Sequence, residues 1–132
     1  MIMSPYSQAA LAAVEACRKT RDLDPVTAWN TAIPLFCKTP QAQKKGCPRN
    51  TFLGLCEAGL VAHIPAGNYT RSKLNKAYAL KAVTLLQTRP KFAEDPRTLW
   101  REVMRGGDED KKPNGQMEIV IALREKGLLK SV

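Results

Sequence analysis

The sequence predicts a mainly α protein, built as two tandem, related three-helix units packed as a pseudo-symmetric pair. Three observations carry this reading. Ser-Pro, Thr-Pro or Asp-Pro pairs, the grammar of a helix start, occur at Ser4-Pro5, Asp24-Pro25, Thr39-Pro40 and Asp95-Pro96. Apolar residues recur with helical period, and almost no window alternates with period two. The chain also repeats itself. Asp24-Pro25-Val26-Thr27-Ala28-Trp29 returns as Asp95-Pro96-Arg97-Thr98-Leu99-Trp100, and these hold the two tryptophans of the 132 residues. Ala10 to Val14 returns as Ala79 to Val83, and Leu55 to Leu60 as Leu123 to Leu128. Three motifs recurring in order set the architecture.

The elements follow in turn. Ser4-Pro5 opens a helix to about Arg18 that turns Tyr6, Ala10, Ala13, Val14 and Cys17 inward. Asp24-Pro25 opens a second, with Val26, Trp29 and Ile33 inward, kinked or ended by Pro34. Thr39-Pro40 starts a short turn closed by Gly46. Pro48 begins a helix to Ala58, and Gly59 stands where a left-handed terminator is expected. Residues 60–70, with Pro65, Gly67 and Asn68, read as a loop or a short β-hairpin. A long helix from Lys73 to Gln87 presents Leu74, Ala77, Tyr78, Ala82 and Leu85. Asp95-Pro96 opens the next, with Leu99, Trp100, Val103 and Met104 inward. A polar linker runs over 106–113. Asn114 then caps a last helix that buries Met117, Val120, Ile121 and Leu123 and stops at Gly127. The chain is thus one compact domain, 1–132, of a first helical unit (4–61), a connecting loop (62–72) and a second unit (73–129). Each unit alone is too small for a good core, which is why the two are expected to pack face to face.

Charge narrows the function classes. Of a net +9, residues 44–91 hold nine basic side chains against Glu57 alone, whereas residues 92–132 hold eight of each sign. Clustered Lys and Arg make a local potential that favours a polyanion. The residues placed to neutralise phosphates are Lys44, Lys45, Arg49, Arg71, Lys73 and Lys76. Asn50 stands at the start of a helix and Tyr69 in a loop where its ring could stack on a base. No apolar run is long enough for a bilayer, and no basic stretch precedes the Ala-rich start as in an export signal. A cytoplasmic protein with reduced thiols is expected, with no membrane partner.

Leu55, Gly59, Leu60 and Val61 resemble the close of the third helix of winged helix-turn-helix domains. The resemblance implies a reading helix starting at Arg49, Asn50 and Thr51, and a wing over 62–70. Against it, Phe52-Leu53-Gly54-Leu55-Cys56 is too apolar to read many bases. A second resemblance spans more of the chain. The run Cys47 to Val61, the Ile64 to Tyr69 loop and the Gln116 to Leu123 helix are similar to a functionally uncharacterised family of small bacterial helical proteins.

Cys47, at a helix start among Lys44, Lys45 and Arg49, is the weak catalytic candidate, with His63 the single histidine able to serve as its base. The spacing of Cys17, Cys37, Cys47 and Cys56 fits no zinc site, and no Gly-rich phosphate loop occurs; no metal or cofactor is expected. The leading expectation is a non-enzymatic nucleic-acid-binding protein. The alternatives are an interaction module for an acidic protein or a second copy, and then a thiol enzyme at Cys47.

Overall fold

The computed structural model describes residues 3–132. Along them run α1 (Pro5–Lys19), α2 (Pro25–Phe36), the one-turn α3 (Pro40–Gln43), α4 (Gly46–Glu57), α5 (Lys73–Thr88), a 3₁₀ segment (Pro90–Glu94), α6 (Pro96–Met104) and α7 (Gln116–Glu125). The fold is mainly α. No helix among the described residues is long and apolar enough to cross a membrane.

Local chemistry explains the helix starts. Ser4, Thr39 and Ser72 each accept the backbone N–H three residues on, and Asp24 and Asp95 the one two residues on. Each bond satisfies a donor that the first helical turn would otherwise orphan. The ends of α4 and α7 share one device. Gly59 and Gly127 adopt φ of 77° and 71°, and the next N–H reaches back from Leu60 to Leu55 O (3.1 Å) and from Leu128 to Leu123 O (2.9 Å). Glycine takes that left-handed turn without the steric cost of a Cβ.

Both turned chains then meet. Val61 and Leu129 form an isolated antiparallel bridge, in which Ala62 N–H donates to Leu128 O (2.9 Å) and Lys130 N–H to Leu60 O (2.7 Å). The second bond is the first with its two ends exchanged 68 residues along. The expected hairpin over 60–70 does not form: the strand-like residue Val61 pairs with the C-terminal segment instead of with its own loop. The extended C-terminal residues supply the complementary edge, and Pro65 has no N–H to continue a ladder.

Two helices form the centre. In α4, every residue from Thr51 to Cys56 is buried; in α7, so are Gln116, Met117 and Ile119 to Leu123. A helix apolar on all sides must be covered on all sides. Accordingly α1 packs on α2, α7 and α4, while α5 packs on α6, α4 and α7. Trp29 stacks on Phe52 of α4, and Trp100 meets Tyr78 of α5 edge-on, each with ring centroids 5.5 Å apart. One apolar cluster takes residues from both units.

Several sequence expectations need correction. α4 is buried from Thr51 to Cys56, so its middle presents no face to a DNA groove, and the chemistry it brings to the surface is confined to its first turn and to Glu57. α4 also begins at Gly46, two residues before Pro48, which sits in the first turn where a missing N–H costs nothing. Pro34 does not stop α2, which continues to Phe36. On α5 the buried residues are Ala79, Ala82, Val83 and Leu86, while Leu74 and Ala77 face solvent. The cap of α7 is Gly115 at φ 82°, not Asn114.

α4 and α5 approach closely at Gly54. A Cβ on Gly54 would lie 2.9 Å from both Cα and Cβ of Lys76. Gly54→Ala is therefore expected to destabilise by about 1–2 kcal/mol, overpacking outweighing the helix propensity gained. Gly46→Ala, whose Cβ meets nothing closer than 3.5 Å, should change stability by less than about 0.5 kcal/mol. Urea unfolding of the two variants measures both; equal losses would show that the crossing has slack.

Candidate nucleic-acid interface

The loop 62–72 leaves the bridge, crosses the C-terminal end of α4 and returns to its first turn. Where it ends, Arg49, Asn50, Asn68, Tyr69, Thr70, Arg71 and Ser72 line one open groove of about 520 Å³. Four of the sequence-identified residues, Arg49, Asn50, Tyr69 and Arg71, thus converge, although 22 positions separate the first from the last. Lys73 follows as the exposed first residue of α5.

Glu57 holds this arrangement together. One carboxylate oxygen accepts the N–H groups of Tyr69 (2.8 Å) and Thr70 (3.2 Å), and the other pairs with Lys76 Nζ at 2.8 Å. The Glu57 side chain is 14% exposed. The Lys76 hydrogen bond first, then the two backbone donors, hold its carboxyl down at about 2. Lys76 consequently has a structural partner, and its charge is not free for phosphate. The remaining contacts run along the groove wall. Thr70 Oγ1 donates to Asn50 Oδ1 (2.9 Å), and Ser72 N–H donates to Thr70 Oγ1 (3.1 Å).

Tyr69 is committed to its own loop. Its hydroxyl donates to Pro65 O (2.7 Å), and its ring lies where a Cβ on Gly67 would have to be, 2.7 Å from that atom. Gly67 is what lets the ring fold back. Lys44 and Lys45 are exposed at the α3–α4 junction, with Lys45 Nζ 5.5 Å from the centre of the Tyr6 ring. Neither lines the groove.

A wider cleft of about 650 Å³ adjoins this groove, with Tyr69 lining both. Arg18, Lys19, Arg21 and His63 contribute to its wall. So do Asp22 and His63 as the two non-glycine residues at positive φ among those described, 63° and 69°. The cleft is not a second cation cluster. Glu15 pairs with Arg18 and Lys19, and Asp22 and Asp24 line the same wall.

The thiol reading finds no catalytic pair. Cys47 is half-buried in the first turn of α4, while His63 follows the other end of that helix, whose twelve residues span about 18 Å. The cysteine sharing a cleft with His63 is Cys17, and burial, then Asp24, raises its thiol above the ordinary range. A raised pKa disfavours the thiolate nucleophile.

The profile of a family of unknown function (DUF6979) matches residues 3–130. The chain belongs to that family. No curated protein and no solved structure matches it. Membership in DUF6979 accords with the resemblance carried by the Cys47 to Val61 run, and it transfers no activity or site.

Sequence reasoning, which expects Thr70 or Ser72 to cap α5 as Ser72 does, gave neither of them nor Glu57 a place in the site. Glu57 carried a usable signal: a lone carboxylate in a stretch of nine cations is the natural centre of an ion pair.

The depressed Glu57 carboxyl makes stability depend on pH. A carboxyl that ionises more easily when folded stabilises the fold above its unfolded value, near 4.5, and that contribution is lost as pH falls towards about 2. Wild-type protein should therefore lose more stability than Glu57→Gln over this window. Urea midpoints collected from neutral pH down to about 2 measure the difference. Parallel curves would mean that the carboxylate is not held as described.

Proposed function

We propose that this member of DUF6979 is a non-enzymatic nucleic-acid-binding protein that neutralises backbone phosphates with Arg49, Arg71 and Lys73. Asn50 adds a polar contact, and the flanking Lys44 and Lys45 add long-range attraction. The observation that carries this reading is the groove itself. Two arginines from distant parts of the chain line one concavity, and the carboxylate beside it is fully occupied by Lys76 and two backbone N–H groups. The groove therefore keeps its positive charge.

The binding is to backbone, with little sequence reading. α4 offers no exposed face to a base edge, and Tyr69 is held by its own loop. Phosphate contacts position a strand without specifying it. The second unit serves as scaffold in this reading, the two units forming a pseudo-symmetric pair about the α4–α7 contact. The matched glycine turns and the exchanged bonds at the Val61–Leu129 bridge support that arrangement.

Fluorescence anisotropy with labelled duplex DNA, single-stranded DNA and RNA across a salt series tests the proposal. Affinity should fall linearly on log–log axes. Arg49→Ala and Arg71→Ala should each reduce the slope by roughly 0.7–0.9. Arg71→Glu with Lys73→Glu should abolish binding. Lys91→Glu with Arg97→Glu, the same charge change away from the groove, should retain most of it. Equal losses in the two double variants would reduce the effect to net charge. No binding at low salt would send the search to an acidic protein partner or a second copy.

A further inference from the structure

We propose that the groove between the first turn of α4 and the start of α5 is a subsite for a phosphate monoester, such as the terminal phosphate of a strand. This rests on the nucleic-acid reading and specifies which phosphate the groove selects.

The hydrogen bonds of Asn50, Thr70 and Ser72 run in one direction along the wall. Asn50 Oδ1 already accepts from Thr70 Oγ1; Thr70 Oγ1 already accepts from Ser72 N–H; Ser72 Oγ already accepts from Asn75 N (3.3 Å) and Asn75 Nδ2 (3.1 Å). Both oxygens of Glu57 are taken. Each of these oxygens thus already receives a hydrogen bond inside the protein, whereas the exposed Asn68 amide, which also lines the groove, can turn either its oxygen or its NH2 group to a ligand. Apart from Asn68, the wall offers a ligand mainly donors: the guanidinium groups of Arg49 and Arg71, the Asn50 NH2 group and the Ser72 hydroxyl. Such a wall suits a ligand that only accepts and carries more than one negative charge. A monoester presents three terminal oxygens and close to two charges at neutral pH, whereas a backbone diester presents two oxygens and one charge.

The other half of the molecule shows that the fold does not require this lining. There Ser4 caps α1 as Ser72 caps α5, and a small concavity of about 90 Å³ lies beside α7. The residues 68 positions after Arg49 and Asn50 are Met117, buried, and Glu118, which lines that concavity together with Glu125. Glu125 is the counterpart of Glu57, so the difference lies at Glu118, a carboxylate where the first unit has Asn50, and at Met117, apolar where the first unit has Arg49. The donors around Arg49 and Arg71 belong to the first unit's own side chains.

The test uses the full chain. Isotope-labelled protein is titrated with inorganic phosphate and, at matched ionic strength, with chloride, while backbone amide shifts are followed. Saturable shifts centred on Arg49, Asn50 and Arg71 to Leu74 with phosphate alone are expected; shifts spread over all basic surfaces, or equal with chloride, would overturn the subsite. Separately, a single strand bearing a 5′-phosphate should bind about tenfold tighter than the same strand ending in a hydroxyl, and Arg71→Ala should remove that preference. Equal affinity of the two strands would sink the subsite and leave the nucleic-acid reading standing. Saturable phosphate binding with no affinity for any strand would keep the subsite, assign it to a free phosphate compound, and end the nucleic-acid reading.

Discussion

The rest of the structure depends on the contact between α4 and α7. Both helices are apolar around nearly their whole circumference, so neither can lie on a surface, and each must be enclosed by its neighbours. One unit has too few helices to enclose its own central helix. The solution is mutual: α1 of the first unit covers α7 of the second, and α5 of the second covers α4 of the first. Trp29 adds to the cover of α4 by stacking on Phe52, and Trp100 meets Tyr78 of α5, the helix that covers α4. The tryptophans are not equivalent in detail. Trp100 Nε1 donates to Lys111 O (3.0 Å), tying the 105–115 linker to the core, whereas Trp29 Nε1 is buried without a partner. An unpaired indole donor costs roughly 1–3 kcal/mol, which the apolar contact of the ring with α4 must offset.

The same contact positions the candidate site. Because α4 is enclosed along its length, its exposed chemistry is confined to its ends. The left-handed turn at Gly59 sends the chain to the bridge with Leu129, and the loop must then return across α4 to start α5. Glu57, in the last turn of α4, catches that returning loop at Tyr69 and Thr70 and catches α5 at Lys76. The close approach of Gly54 to Lys76 makes the ion pair reachable. A pair mostly shielded from water and reinforced by two backbone donors is a better anchor than a surface salt bridge such as Arg105–Glu102, which sits on one helical turn and restrains little. Arg71 stands beside Arg49 because Glu57 fixes the residues just before it.

Much of the fold was legible in the sequence, for reasons that are local. A Ser or Asp followed by Pro satisfies helix-start donors whatever surrounds it, so the starts of α1, α2 and α6 were readable. On α6 the inward set Leu99, Trp100, Val103 and Met104 is also the buried set. The face of α5 was misjudged because Leu74 and Leu85 outweighed alanines in a pattern judged by size. The repeat held the better information: Ala79, Ala82 and Val83 match Ala10, Ala13 and Val14, and all six are buried. Close helix crossings select alanine and glycine, which hydropathy ranks low. The pairing of Val61 with Leu129 was not legible, since nothing local marks two single residues 68 apart as partners.

The site was legible as charge and illegible as arrangement. Nine cations in the middle of the chain do not make nine phosphate contacts. Lys76 is neutralised by Glu57, Lys45 lies over Tyr6, and Lys81 with Arg89 lines a separate groove that Glu102 shares. What distinguishes Arg49 and Arg71 is that no carboxylate lines their groove and that its Asn50, Thr70 and Ser72 oxygens already accept hydrogen bonds within the protein. Those bonds join α4 to a loop 20 residues away. Only a folded chain brings such groups together, so local charge density in a sequence points to a region, whereas the consumption of its acceptors decides which of its cations can meet an anion.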